Sequence, residues 1–361
     1  MMKLRISSGA HLRSGCPVFA ALDSAPAGPV ALRTPAGELL PAQYSAADGG
    51  IWFLLPFLSA HEELTLELVS VPETAPACAS VIDGERVSIS LDGRERCGYF
   101  FGTEVAKPYL GPFFERYGGQ ITRLDPTVRE HPHHRCFWFS HGSVNGVDTW
   151  NEPPTCGYIR NREITPPENG GVYTGFLARN VWTNHEGEPL CEDETSIRFY
   201  RTAPELTVAD VSLTLIASHG EVVLGRTKEA GPVAVRMSDA LTVKTGTGTF
   251  VNGVGGVNEE EVWMKRAPWC DYYGQMEGHS CGFAILDNPQ NEGFPSYWHA
   301  RNYGLMAPNN FHIPGDRVIP AGERMTFRYR LVSHNGTAEE AGIQARFDDY
   351  AYPPKAEWIN E

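Results

Sequence analysis

Apolar and polar residues alternate over short stretches of this chain, and glycine or proline separates one stretch from the next, the pattern of a β-rich protein. Val87 to Leu91, Leu206 to Leu215 and Met325 to Val332 each alternate over the length of a strand. Only Ala338 to Tyr350 has a helical pattern, with Glu339 and Glu340 early and Arg346 late, the order of charge that a helix dipole favours. Near the start, strands are expected around Leu4–Ile6, Val18–Leu22, Leu40–Tyr44, Ile51–Leu54 and Leu64–Val69, enough for a small sandwich. Val71 to Ala77 holds two prolines among small residues and reads as an extended connector. No second break follows, and a β unit of that size needs two large packed sheets. The expectation is an all-β chain, a small sandwich over 1–76 and a large one over 77–361.

Composition narrows this picture in three ways. Hydrophobic residues at 42% and charged residues at 20% place the 361-residue chain among folded proteins rather than disordered ones. A formal charge of −14, from 44 acidic and 30 basic residues, argues against nucleic acid or an anionic membrane as the main partner. Eight scattered cysteines include no C-x-x-C pair, so reduced thiols are the simpler reading. Met1 to Ser8 alternates and lacks the apolar core of a secretion signal. The run Ile51 to Leu58 is broken by Pro56 and falls far short of the roughly 20 residues that cross a bilayer. A cytoplasmic location is expected, and the oligomeric state is left open.

Candidate chemistry concentrates between Glu130 and Gly142, where His131, His133, His134 and His141 lie beside Arg135 and an aromatic run. Imidazoles bind metals, move protons and hydrogen-bond hydroxyls near neutral pH, although a single histidine in an apolar strand is most often a core residue. Read as a strand, the segment sends His133, Arg135, Phe137, Phe139 and His141 to one face and His134, Cys136, Trp138 and Ser140 to the other. On that reading the histidines do not all converge. Their spacing matches no standard zinc pattern, which leaves His131, His133 and His134 as candidate ligands of an unspecified divalent metal and no cofactor assigned.

Three further segments mix polar groups with aromatics. Gly225 to Arg236 contains Lys228, one of only six lysines, next to Glu229, and ends on Arg236. A surface ion pair is the readier account of Lys228 and Glu229, since such pairs are common and nearly neutral in energy. Ala267 to Gly274 combines Trp269 and Asp271, suited either to stacking on and hydrogen bonding with a sugar or to a core strand with a capped turn. In Asn288 to Gly304, followed by Asn309, residues His299, Arg301 and Tyr303 alternate, so a strand aims all three the same way. An imidazole, a guanidinium and a phenol together form an acid/base and anion-holding set.

Taken in order, Glu130 to Arg135, Val144 to Trp150 (with Asn145, Asp148 and Trp150), Lys228-Glu229, Trp269 to Tyr272 and Trp298 to Leu305 (with Trp298 and Asn302) form five motifs. This set resembles a bacterial family of unknown function often labelled "methane oxygenase", over about residues 95 to 335. Members commonly carry Asp where this chain has Glu130 and Gly where it has Cys136. The resemblance implies a small immunoglobulin-like sandwich followed by a large galactose mutarotase-like supersandwich, and a link to sugar catabolism. The oxygenase label fits poorly, because a membrane methane oxidase subunit should be rich in spanning helices.

The function expected is therefore a carbohydrate-active enzyme of lyase, epimerase or hydrolase type, acting on a small-molecule sugar or keto sugar. His131, His133 or His134 is its base, His299 or Tyr303 its acid, and Arg135 or Arg301 steadies oxyanion charge. Trp138, Trp269 and Trp298 offer stacking faces. A non-catalytic sugar-binding protein and a structural sandwich with a buried polar network are the alternatives.

Overall fold

The computed structural model describes residues 2–125, 130–152, 154–229 and 231–359. Its strands form antiparallel sheets, and helix is confined to short pieces. The first sheet has seven strands in the order Arg13–Ala21, Gly50–Leu58, Leu39–Ser45, Val30–Arg33, Glu63–Ser70, Lys3–Ser7, Lys355–Ile359. Alternation builds it: Leu4 and Ile6 are fully buried while Lys3, Arg5 and Ser7 are not. The sheet curls until its two edges meet, Trp358 Nε1 donating to the Ala21 carbonyl at 2.6 Å, around a core that includes Val18, Leu32, Phe53 and Leu66. Its last strand comes from the far end of the chain, Lys3 to Ser7 pairing with Ile359 to Lys355. A cut at residue 76 leaves that strand on the other side of the boundary from the sheet it completes.

Two eight-stranded sheets make up the large sandwich. One runs Trp298–Arg301, Leu305–Pro308, Val233–Arg236, Phe137–Phe139, Tyr109–Leu110, Arg94–Phe100, Arg86–Leu91, Cys78–Asp83. The other runs Tyr158–Ile164, Tyr173–Thr183, Pro189–Tyr200, Leu206–Ile216, Arg324–Asn335, His279–Asp287, Trp269–Met276, Thr249–Asn252. They pack face to face: Val87, Ile89, Phe137 and Val235 of the one share a core with Ile197, Val211, Phe283 and Tyr329 of the other. Period-two alternation then fixes what lies on the outer face of the first of these sheets. Trp138 pairs with Ala234, His299 with Ala307 and Arg301 with Leu305 in register. Trp138, Ala234, Leu305 and Ala307 belong to a separate cluster from the inter-sheet core, so these positions floor an outward-facing site.

Two local expectations differ from the structure. The helix occupies Ile343–Ala351, not 338–350, because Gly342 adopts a left-handed φ of 65° and Glu340 is turned back to accept from the Thr337 amide at 2.8 Å. The histidine segment is a strand only over Phe137–Phe139. His131 and Cys136 take φ values of 49° and 47°, which break the alternation on either side of His133 and His134. All eight cysteines are free and buried. No helix among the described residues is long and apolar enough to cross a membrane.

Candidate active site

Arg123 organises the histidine turn from beneath. Its buried guanidinium donates through Nη2 to the carbonyls of His131 at 2.7 Å, Glu130 at 3.2 Å and His134 at 3.4 Å. The His134 amide closes the turn on the His131 carbonyl at 3.0 Å. As a result His131, His133 and His134 point into a single cavity of about 250 Å³ instead of dividing between two faces. Trp150, Asn151, Lys228, Glu229, His299, Arg301, Tyr303 and Leu305 complete its lining. The turn, the 227–229 loop and the 299–305 hairpin thus meet, although they are far apart in sequence.

Aromatic rings hold the histidines in place. His134 stacks on Trp138 at 4.9 Å and on His131 at 4.9 Å, and His131 stacks in turn on Tyr303 at 5.1 Å. The buried Arg236 guanidinium lies over the Tyr303 ring at 4.6 Å. His133 meets His134 edge to face at 4.3 Å. Stacked imidazoles present faces to each other, not lone pairs to a common point. Among the described residues no three His, Cys, Asp or Glu side chains are grouped as a metal site, and His131, His133 and His134 do not form one here.

Burial controls the protonation of these groups. It pushes His299 and His133 down to about 4, with Lys107 adding to the effect at His133. Burial, then His133 and Arg236, holds His134 well below the ordinary histidine value. His131 is lowered by burial and by Arg236, against a weaker pull from Glu130. All four shifts favour the uncharged ring at neutral pH. Burial also raises the Tyr303 phenol, which stays protonated. Neither ring nitrogen of His299 makes a well-formed hydrogen bond, although the Lys228 backbone lies near enough to raise its pKa slightly against burial, and Nδ1 of His134 is likewise unpartnered. The cavity therefore holds hydrogen-bonding capacity that the protein leaves unused.

The eight residues expected to act in catalysis all line this cavity: His131, His133, His134, Lys228, Glu229, His299, Arg301 and Tyr303. Lys228 Nζ stands 3.6 Å from Glu229 Oε1, and Arg301 Nε 2.9 Å from Glu259 Oε1. Of the residues expected to bind substrate, Trp150 lines the cavity and Trp138 supports His134 from below. Arg135 is paired with Glu152 at 2.5 Å. Arg236 backs Tyr303 from outside the lining.

The rest lie outside the cavity lining. His141 bonds the Gly225 carbonyl at 2.9 Å and packs on Phe311. Asn145 ties the Val223 amide at 2.6 Å, and Asp148 accepts from the amides of Trp150 and Asn151, setting both at the cavity wall. Asn309 donates to the Lys228 carbonyl at 3.0 Å and so fixes the 227–229 loop. Asn302 is locked to Glu259, its amide donating at 2.8 Å. Trp298 is buried with its indole on the Ala267 carbonyl, and Trp269 bonds Gln344 at 2.9 Å, away from the cavity. Asp271 is fully buried against His334 in the opposite sheet.

Sequence reasoning missed the ion pair beneath the turn. Lys107, buried, donates to Glu152 at 3.0 Å and to the Trp150 carbonyl at 2.7 Å. Burial pulls the Lys107 amine down. Glu152, although burial pushes it up, is held low by Lys107 and Arg135. Only the scarcity of lysine in the chain could have drawn attention to Lys107.

A family model, "Family of unknown function (DUF6807)", matches residues 86–348, a span that contains the whole cavity. The chain belongs to DUF6807. No curated protein matches this DUF6807 chain in sequence, and the oxygenase label finds no support there. Solved structures with a similar fold include a GH36 alpha-galactosidase from Geobacillus stearothermophilus in complex with raffinose, at 10% identity and a TM-score of 0.36. That match covers 67% of this chain and 39% of the galactosidase. A second is the alpha-galactosidase from Lactobacillus brevis, at 9% identity and a TM-score of 0.34, over 73% of this chain and 40% of that one. The DUF6807 chain thus spans about two fifths of either galactosidase.

Proposed function

We propose that the cavity is the active site of an enzyme performing acid/base chemistry on a sugar or an oxidised sugar. The observation that carries this reading is the convergence of eight ionisable side chains on about 250 Å³ of space. That volume of about 250 Å³ lies below the roughly 300–1,000 Å³ of sites for drug-sized ligands, and suits one monosaccharide ring. The lining supplies donors and acceptors with little apolar surface between them, as a polyhydroxylated ligand requires. Lys228 and Arg301 outnumber Glu229 among its charged groups, which favours a ligand bearing a carboxylate or a carbonyl that develops negative charge.

Roles follow from protonation state. His299, with neither ring nitrogen in a well-formed hydrogen bond, and His133 favour the neutral form and act as the base; protonated Tyr303 is the acid; Arg301 and Lys228 receive oxyanion charge. A carboxylate bound beside His133 or His299 raises its pKa toward neutrality by direct attraction, so ligand binding itself brings the base into working range. In the test, purified protein is incubated in D₂O with hexoses, hexuronic acids and keto-hexoses as methyl glycosides, and followed by proton NMR. Deuterium at a ring carbon marks epimerisation, a new olefinic signal elimination, and a freed anomeric proton hydrolysis. The absence of all three across the panel rejects the enzyme reading.

One observation favours a second reading, sugar binding without turnover. Histidines pushed to about 4 are poorly matched to proton transfer at neutral pH in the ligand-free state. Binding in calorimetry with no NMR change selects it.

A further inference from the structure

We infer that the cavity continues outward into a second ring-binding position whose platform is Trp263, so that the natural ligand carries at least two linked rings. The inference rests on the sugar reading of the cavity and extends it to substrate class. Trp263 is 38% exposed, the most exposed of the chain's eight tryptophans. Its exposure is not a matter of a loose backbone. The Trp263 amide donates to the Glu259 carbonyl at 3.0 Å, and the next amide, Met264, to the Trp298 carbonyl at 2.7 Å. Trp263 is bridged in this way to the start of the strand that carries His299 and Arg301.

Arg301 connects the two positions. Its guanidinium carbon lies 5.7 Å from the Tyr303 ring inside the cavity and 6.0 Å from the Trp263 ring outside it. Glu259 Oε1 lies 2.9 Å from Arg301 Nε and is itself fixed by the Asn302 amide, which donates to Oε2 at 2.8 Å, so swinging the guanidinium away breaks an ion pair with an anchored carboxylate. His312 lies 6.4 Å from the Trp263 ring and near enough to His299 to bear on its protonation. Tyr303 and Arg301 line the cavity, and Trp263 stands next to Arg301 just outside the lining with much of its ring exposed. The cavity has room for one ring, and a second must lie outside it. A flat indole beside a guanidinium matches it, the indole meeting the ring's apolar face and the guanidinium its hydroxyls.

The test is calorimetry on the full chain, using the methyl glycosides above and the disaccharides built on the same rings. Disaccharides are expected to bind about tenfold more tightly than the matching methyl glycosides, the scale of one good aromatic contact. Trp263→Ala should erase that gain while leaving methyl glycoside affinity and the melting temperature unchanged, and Trp263→Phe should restore part of it. Equal affinity for one and two rings, or a gain that survives Trp263→Ala, overturns the outer position alone. Failure of every glycoside to bind overturns the sugar reading and this extension together.

Discussion

The chain buries histidine in two opposite ways. His334, in the sheet facing away from the cavity, is fully buried with Nε2 at 3.0 Å from the equally buried Asp271 Oδ1, and Gly282 across the strand pair leaves room for the ring, since a Cβ there would come within 2.7 Å of it. Burial is the largest single influence and would lower its pKa, but the charge and hydrogen bond of Asp271, joined by backbone hydrogen bonding at Asn335 and Gly336, together outweigh burial and raise it. His299 is 3% exposed, has no carboxylate against it, and falls to about 4. The difference separates a core fixture from a binding surface. A carboxylate partner takes up one nitrogen of the first ring and raises its pKa, while the second has no well-formed hydrogen bond at either nitrogen and lines a cavity.

Breaking the core pair should have the largest effect. Asp271→Ala leaves an imidazole buried without its counter-charge and should cost about 3–5 kcal/mol in urea unfolding. A loss below about 1 kcal/mol would mean that the pair is not a structural fixture.

Proton linkage sharpens the contrast because its sign differs between the two sites. The unfolded chain protonates His299 near 6.5 and the folded chain near 4, so the unfolded state binds more protons within that window. Stability should fall there as pH is lowered, by up to about 1.4 kcal/mol per unit for this residue, and His299→Gln should flatten the profile. His334 is raised above 6.5 in the fold, so its contribution is fully present below 6.5 and is lost as pH rises through the folded value. His334→Gln should remove that alkaline loss and leave the acid limb alone. Identical profiles for the two variants would erase the distinction.

The smallest effect on stability should come from the cavity. His133→Gln replaces a ring that lines the cavity, and should change unfolding free energy by less than about 1 kcal/mol while abolishing the response to any ligand found. A large destabilisation would point to a buried polar network instead.

Much of this scaffold was legible in the residues. Val87 to Leu91, Leu206 to Leu215 and Met325 to Val332 alternate because one side of each strand faces the inter-sheet core, and they fold as strands. The alternation of His299 and Arg301 correctly aims both at one face, with Tyr303 following in the turn. The histidine turn was not legible, since nothing in the residue types of His131 or Cys136 announces a left-handed backbone. Trp269 and Asp271 share the polar and aromatic character of a sugar site, yet their partners Gln344 and His334 arrive from more than 60 positions away. Separation in sequence also hid the Lys107–Glu152 pair, 45 positions apart, and the return of Lys355–Ile359 to the first sheet. Pairings of that kind are decided by topology, which local pattern does not carry.

The most direct test of the ligand-site claim is a histidine ring NMR titration of the full chain with the glycoside panel. The account predicts that at least one saccharide moves the His133 and His299 resonances and raises their titration midpoints from about 4, while His334 stays fixed. Cavity resonances that no saccharide moves would contradict it.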